Sequence, residues 1–298
     1  MRLPVREAAG GSIYDLGYRH YTGSRLGRPH AVSAMYVHSL RSIFGIGRPL
    51  SSKIGPWLLL GASFLPALVQ LGVASISSGD VDVIFPEDYY TYIQIVLALF
   101  VAVVAPELAG RDQRSRTLSL YFSRAIVRDD YALAKYGALV TAMLCLTFLP
   151  QLILFVGNGV AINDLGGYIE NEWSDVPAAA ASAIVICLLF AGISLAISAQ
   201  TSRRAYSTIA IIAVMVISSI VGMTLVESIE GDGGRYGILV SPFNVADGLT
   251  YWFFDAVPDP EEPMAKADLW GGLYALTALA IAMVCVALIL RRYRSIQA

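Results

Sequence analysis

Six stretches of this chain, residues 55–77, 89–106, 136–159, 178–199, 205–226 and 269–290, contain no Asp, Glu, Lys, Arg or His. A helix of roughly 17–25 apolar residues crosses a hydrocarbon core, and each stretch has that length. Charge is scarce elsewhere too. Only 15% of the 298 residues are charged, where about 25% is usual for a soluble domain. The pattern excludes a soluble enzyme and a secreted domain. It predicts an all-α polytopic membrane protein with six transmembrane helices: residues 1–54 form a cytoplasmic lead-in, and 55–298 the six-span domain.

Composition removes further classes. The net charge of −2 offers no basic field for nucleic acid. Cys145, Cys187 and Cys285 sit one per apolar stretch, as small hydrophobes and not as a disulfide or metal framework. The first 54 residues have no apolar h-region, so no cleavable signal peptide is expected.

Orientation follows from the cations. Segments 1–54, 107–135, 200–204 and 291–298 hold 19 of the 21 Lys and Arg residues; the alternate loops hold only Arg235 and Lys266. The positive-inside rule puts both termini in the cytoplasm. Acids mirror this, with 17 of 23 in loops 78–88, 160–177 and 227–268.

Before the first span, Val32, Met35, Tyr36, Leu40, Ile43 and Phe44 recur at helical spacing between Pro29 and Phe44. A basic amphipathic helix here is expected in the membrane interface, contacting lipid through its apolar face; packing on a partner is the alternative. Pro66 and Pro150 predict kinks in spans one and three. The small residues of span four, from Ala178 through Gly192 to Ser198, predict a helix buried among others.

Two loops carry more than a turn. Loop 107–135 begins at Glu107 and places Leu118, Leu120, Tyr121 and Phe122 among cations. Exposed apolar clusters need cover, from a partner protein (the reading favoured) or from the bundle's own underside. Loop 227–268 contains two apolar stretches too short to span, 236–245 and 249–257, around the turn Ser241-Pro242-Phe243-Asn244. They form either re-entrant helices, favoured here, or an external cap.

The missing chemistry is informative. No Gly-Lys dipeptide occurs, so the chain holds no P-loop of its own. The histidines, His20, His30 and His38, lack metal-ligand spacing. The apolar stretches carry no acid or base. Their strongest polar groups are Gln70, Gln94, Gln151 and Asn158, more often interhelical glue than ligands. That argues against a proton-driven carrier, which uses intramembrane acids or histidines.

The segment from Ala105-Pro106-Glu107 through Arg116-Thr117-Leu118-Ser119-Leu120-Tyr121-Phe122-Ser123-Arg124 to Lys135 resembles the export-type (type-two) ABC transporter permeases. Their pattern runs from an acidic residue ending span two, through a Thr-containing basic stretch and a Leu-rich turn, to a Lys entering span three. Phe122 stands where the family usually has Pro. The lead-in helix, the six spans and the Ser241-Pro242-Phe243 turn extend the likeness over most of the chain. The opening Ile13-Tyr14-Asp15-Leu16-Gly17-Tyr18-Arg19 is similar to lead-ins from high-GC Gram-positive bacteria.

The resemblance implies a permease subunit of an exporter in a bacterial plasma membrane. It would pair with a second permease subunit, identical or paralogous, and with two cytoplasmic ABC ATPase subunits. ATP and Mg would bind the ATPases, leaving this chain without a cofactor and without catalysis. Glu107, Arg116, Thr117, Leu118, Leu120, Tyr121, Phe122, Ser123 and Arg124 would form the coupling segment, with the apolar residues as anchors and the arginines at the rim. An ATP-independent carrier or a non-transporting scaffold are the competing readings.

Overall fold

The computed structural model describes residues 26–77, 84–115, 117–122, 126–162, 165–229 and 231–295, without the side chains of Ser119, Leu120 and Asp232. Arg116, Ser123 and Arg124 lie outside the described residues, as does the segment 13–19.

The chain is an all-α polytopic membrane protein with six helices long and apolar enough to cross a bilayer. Span one is broken into α2 (Ser51–Ser63) and α3 (Leu65–Ser77), preceded by α1 (Gly27–Ile43). Span two is α4 (Tyr89–Arg114), followed by the five-residue α5 (Leu118–Phe122). Span three is α6 (Arg128–Ala161), and a short α7 (Leu165–Asn171) leads to span four, α8 (Asp175–Gln200). Span five is α9 (Arg204–Ser228). Then come α10 (Asp232–Gly237), a single 3-10 turn (Ile238–Val240), α11 (Pro242–Phe254), α12 (Pro263–Ala267) and the last span, α13 (Gly271–Ser295).

The spans extend beyond the charge-free stretches. Span two continues eight residues past Pro106 to Arg114, and span three begins at Arg128. Glu107, Arg111, Asp112 and Lys135 are therefore helical, and the connection between the spans shrinks to 115–127. Charged residues keep the helical hydrogen bonds, and here their heads find partners within the bundle, so the first charge does not mark the end of the helix.

The small-residue helix α8 packs against α4, α6, α9, α11 and α13 and is buried over most of its length from Ala178 to Ala199, with Ile184 exposed. A Cβ added at Gly192 would stand 3.2 Å from the Cys285 Cβ of α13, which is why that position carries none. By contrast α9 turns Ile209, Val216, Ile217 and Ile220 outward, as a helix at the rim of a membrane bundle does.

Pro66 interrupts span one as expected: α2 ends at Ser63 and α3 restarts at Leu65. The Tyr89 hydroxyl donates to the Ser63 carbonyl at 2.6 Å, giving the break a partner from a neighbouring helix. Pro150 stays inside a continuous α6.

The apolar face of α1 is covered by this chain's own spans. Met35 and Ile43 are buried, and the Tyr36 hydroxyl donates to Thr141 of α6 at 2.8 Å. Val32, Leu40 and Phe44 pack against the same core. The predicted helix is there, but it lies against α6 where direct lipid contact was expected.

The segment 232–254 turns at Ser241 between α10 and α11. Ser241 is fully buried beside Gly222, about 9 Å along α9 from its end at Ser228. The Phe243 ring meets Phe190 of α8 at 5.8 Å between centroids, and α11 then climbs back over about 20 Å. The Ser241 hydroxyl accepts from the Asn244 amide at 3.2 Å, and Pro242 occupies the first helical position, where an amide would have no partner. On the way out Gly248 passes under Tyr274 of α13, so closely that a Cβ would lie 2.5 Å from the ring.

Ser241→Ala should lower stability in detergent by about 1 kcal/mol through loss of the cap. Gly248→Val should cost about 1–3 kcal/mol by overpacking. Thermal unfolding followed by circular dichroism measures both.

Candidate functional site

Two polar assemblies stand out, one at each end of the bundle. At the end rich in arginine, the centre is Lys135, two turns inside α6 and only 3% exposed. Its ammonium reaches Asp112 of α4 at 2.5 Å and also donates to the Leu108 carbonyl. The Tyr131 hydroxyl, one turn earlier on α6, donates to the same Asp112 carboxylate at 2.6 Å, and the Lys135 ammonium sits 4.6 Å from the Tyr131 ring centroid. A buried ammonium is tolerated only with its charge matched and its protons accepted; this site does both. The expectation that the spans hold no acid or base is corrected here. Lys135 was counted in a loop, and its helical partner Asp112 is distant in sequence.

Glu107, next to Leu108 on α4, gathers three guanidinium groups. Arg48, Arg114 and Arg204 approach its carboxylate at 3.2, 3.3 and 3.9 Å. Arg48 comes from the α1–α2 turn and Arg204 from the start of α9, so Glu107 ties three parts of the fold together. Burial first, and then the neighbouring Arg111, pull the Arg48 pKa below its ordinary value, with Glu107 opposing.

The expected coupling segment is built onto this assembly. Leu118 is buried, and Tyr121 and Phe122 are half-buried, each 5.8 Å from the Tyr131 ring. Arg128 lies over Phe122 at 5.5 Å, and Tyr131 continues to Tyr293 of α13 at 5.1 Å. Thus Leu118 is an internal anchor, and Tyr121 and Phe122 offer only part of their surface outward, while Val127 next along is 48% exposed. The first turn of α6 is clamped from both sides by Arg28 on Asp130 at 2.7 Å and Arg294 on Asp129 at 2.5 Å; both acids also suit a helix N-terminus.

At the opposite end, Asp247 of α11 accepts from Thr91 at 2.8 Å and from the side-chain amide of Gln94, both on α4. Tyr251 donates to Asp88 nearby. Gln94 is thus a ligand of a carboxylate, not simple glue between spans. An acid inside the apolar run Phe243–Phe254 was the sequence signal for this site. Of the remaining polar groups, Gln70 accepts from the Ile84 amide at 3.0 Å, and Gln151 donates to the Pro86 carbonyl at 2.8 Å. Asn158 and Gln151 share a small cavity with Phe155 and Tyr168. Among the described residues no cluster of His, Cys, Asp and Glu could hold a metal ion.

The fold and these assemblies define an all-α membrane protein with six candidate spans among the described residues and short helices packed into the bundle before the last of them. No family model matches the sequence, and no curated protein matches it.

Lys135→Met would leave Asp112 charged and unmatched, and should cost about 3–5 kcal/mol. Lys135→Met combined with Asp112→Asn should recover much of that loss. A double-mutant cycle on thermal unfolding in detergent tests the coupling; additive losses would exclude it.

Proposed function

We propose that this chain is the membrane-spanning permease subunit of an ATP-driven ABC exporter, forming half of a translocation pathway. The observation that carries this reading is the seat of α5. A short helix with a partly outward aromatic surface joins spans two and three, and it is fastened to both through Tyr131, Asp112 and Lys135. A push on such a helix is transmitted to α4 and α6 and, through Tyr131 and Tyr293, to α13, because packed elements move as units.

The partners follow from the same reading. A pair of cytoplasmic ATPase subunits would bind ATP and Mg and dock on α5 and Val127. A second permease subunit, identical or paralogous, would cover the line of Tyr92, Ile95 and Leu99 that α4 leaves exposed. The arginine-rich end is the cytoplasmic one by the distribution of Lys and Arg, with both termini inside a bacterial plasma membrane. Lipids cover the remaining apolar flanks.

Asp247 favours a second reading, an ATP-independent carrier, since acids buried in a membrane bundle mark ion pathways. Asp247→Asn would abolish ion-coupled transport by a carrier, which would purify without an ATPase.

Charging the docking surface separates the two. Phe122→Asp and Val127→Asp should each weaken association with the ATPase about thirtyfold, equivalent to about 2 kcal/mol. Val127→Asp should do so with unchanged thermal stability, because Val127 is exposed in the chain alone. Co-purification of ATP hydrolysis on the tagged chain reads the effect, and full retention of the ATPase by both variants would remove the exporter reading.

A further inference from the structure

Beside the Glu107 assembly the bundle is hollow. Two cavities of about 300 Å³ each meet at Ser42, Arg48 and Glu107. One runs between the end of α1, the first turn of α2 and the end of α4. The other runs beneath α1 toward Thr117, Tyr121 and Lys135. A volume of that size suits a small ligand or headgroup.

The walls are chemically one-sided. Arg48, Arg111, Arg204 and Lys135 line the two cavities, and Arg114 adds a further cation on Glu107. Against them stand only Glu107 and Asp112. Glu107 is shared among three arginines, and Asp112 is matched first by Lys135 and feels Arg111 as well, so the cations outnumber the acids. The guanidinium of Arg111, an exposed residue on the wall of the second cavity, makes no ion pair or hydrogen bond among the described residues. Neither do the hydroxyls of Ser51 and Ser52 at the start of α2.

A second observation is independent of charge. The Ser39 side chain lines the same cavity and is 1% exposed, yet its hydroxyl has no hydrogen-bond partner. A buried hydroxyl without a partner costs free energy; a ligand oxygen in the cavity would satisfy it. A guanidinium with no protein partner beside an unpartnered buried hydroxyl suits an oxyanion, and charge-assisted guanidinium bonds favour phosphate geometry.

We propose that these joined cavities bind the phosphate of an anionic ligand, with Arg111 and Ser39 as direct contacts and Arg48 as part of the wall. The site lies where α1 meets the end of span two. It is therefore within reach of both a phospholipid headgroup and a soluble phosphate ester. The inference stands apart from the exporter reading, since it needs neither an ATPase nor transport.

The test uses the full-length chain, purified in neutral detergent with whatever subunits accompany it and then delipidated. Native mass spectrometry compares retention of phosphatidylglycerol with phosphatidylcholine, and thermal shift measures stabilisation by inorganic phosphate. Preferential retention of phosphatidylglycerol identifies a lipid headgroup site. Stabilisation by phosphate without lipid preference identifies a site for soluble phosphate esters. In either arm Arg111→Gln should weaken binding at least about tenfold, as for loss of a hydrogen bond to a charged group. Ser39→Ala should weaken it about fivefold, while leaving the stability of the ligand-free protein unchanged or higher. Arg291→Gln makes the same charge change at an exposed position outside the cavities and should leave binding intact. The proposal is overturned by the absence of both effects, or by an Arg291→Gln loss as large as that of Arg111→Gln.

Discussion

A lysine ammonium buried between two membrane helices constrains much of this molecule. Lys135 cannot be left unmatched at that depth, so Asp112 must stand opposite it, and this fixes the end of α4 against the start of α6. With those ends joined, the connection 115–127 has little slack. Its regular piece among the described residues, α5, lies across the junction, where Tyr131 receives Tyr121 and Phe122. The same tyrosine donates to Asp112 and packs on Tyr293, so the ion pair, the short helix and the last span share one residue. Arg28 and Arg294 then fasten α1 and α13 to the neighbouring acids of α6. Those exposed pairs each contribute little; their effect is to orient elements that the buried pair has already brought together.

The opposite end obeys a different rule. Backbone that turns inside a hydrocarbon layer must satisfy its own polar groups or borrow partners from the bundle. The Ser241-Pro242 turn meets that demand locally, with a hydroxyl capping one amide and a proline removing another. The close approach of Gly222 and Gly248 to their neighbours lets this segment sit against α9 and α13. Depth and capping are linked here: a turn without the serine and proline would expose unmatched amides to the apolar surroundings of Phe190 and Phe243.

The spans were legible because charge is excluded from hydrocarbon, so their absence over some twenty residues needs no knowledge of tertiary contacts. The burial of α8 was legible for a similar reason, since small residues permit close packing and the packing is what they are for. Helix ends were not. Glu107, Asp112 and Lys135 look like loop residues when charge is taken as the boundary, and the pairing of Asp112 with Lys135 spans 23 residues of sequence that no local pattern reveals. Asp247 was passed over in the same way, as one acid among many in an acidic loop, although its neighbours Val245, Ala246 and Leu249 are all buried. The apolar cluster at 118–122 called for cover, and periodicity could not say whether a partner or the chain itself would supply it. The chain's own bundle covers Leu118 and part of Tyr121 and Phe122, leaving the outer edges of the rings.

The phosphate cavity and α5 share a wall. Thr117 and Tyr121 border the same hollow as Arg111, Ser39 and Lys135, so an anion bound there would touch both the helix end that carries Glu107 and the segment that would receive a partner. Binding to such a place stabilises whichever arrangement holds the cations closest, and a ligand shifts an equilibrium only by its differential affinity for the two arrangements. With α5 seated as it is, Arg111 and Arg48 converge on one cavity. If α5 moved away from Tyr131, the Tyr121 wall would leave with it and the cavity would open toward solvent, where cation–phosphate contacts weaken. Occupancy should therefore favour the seated position of α5. That couples the composition of the surrounding medium to the surface on which the proposed ATPase would act.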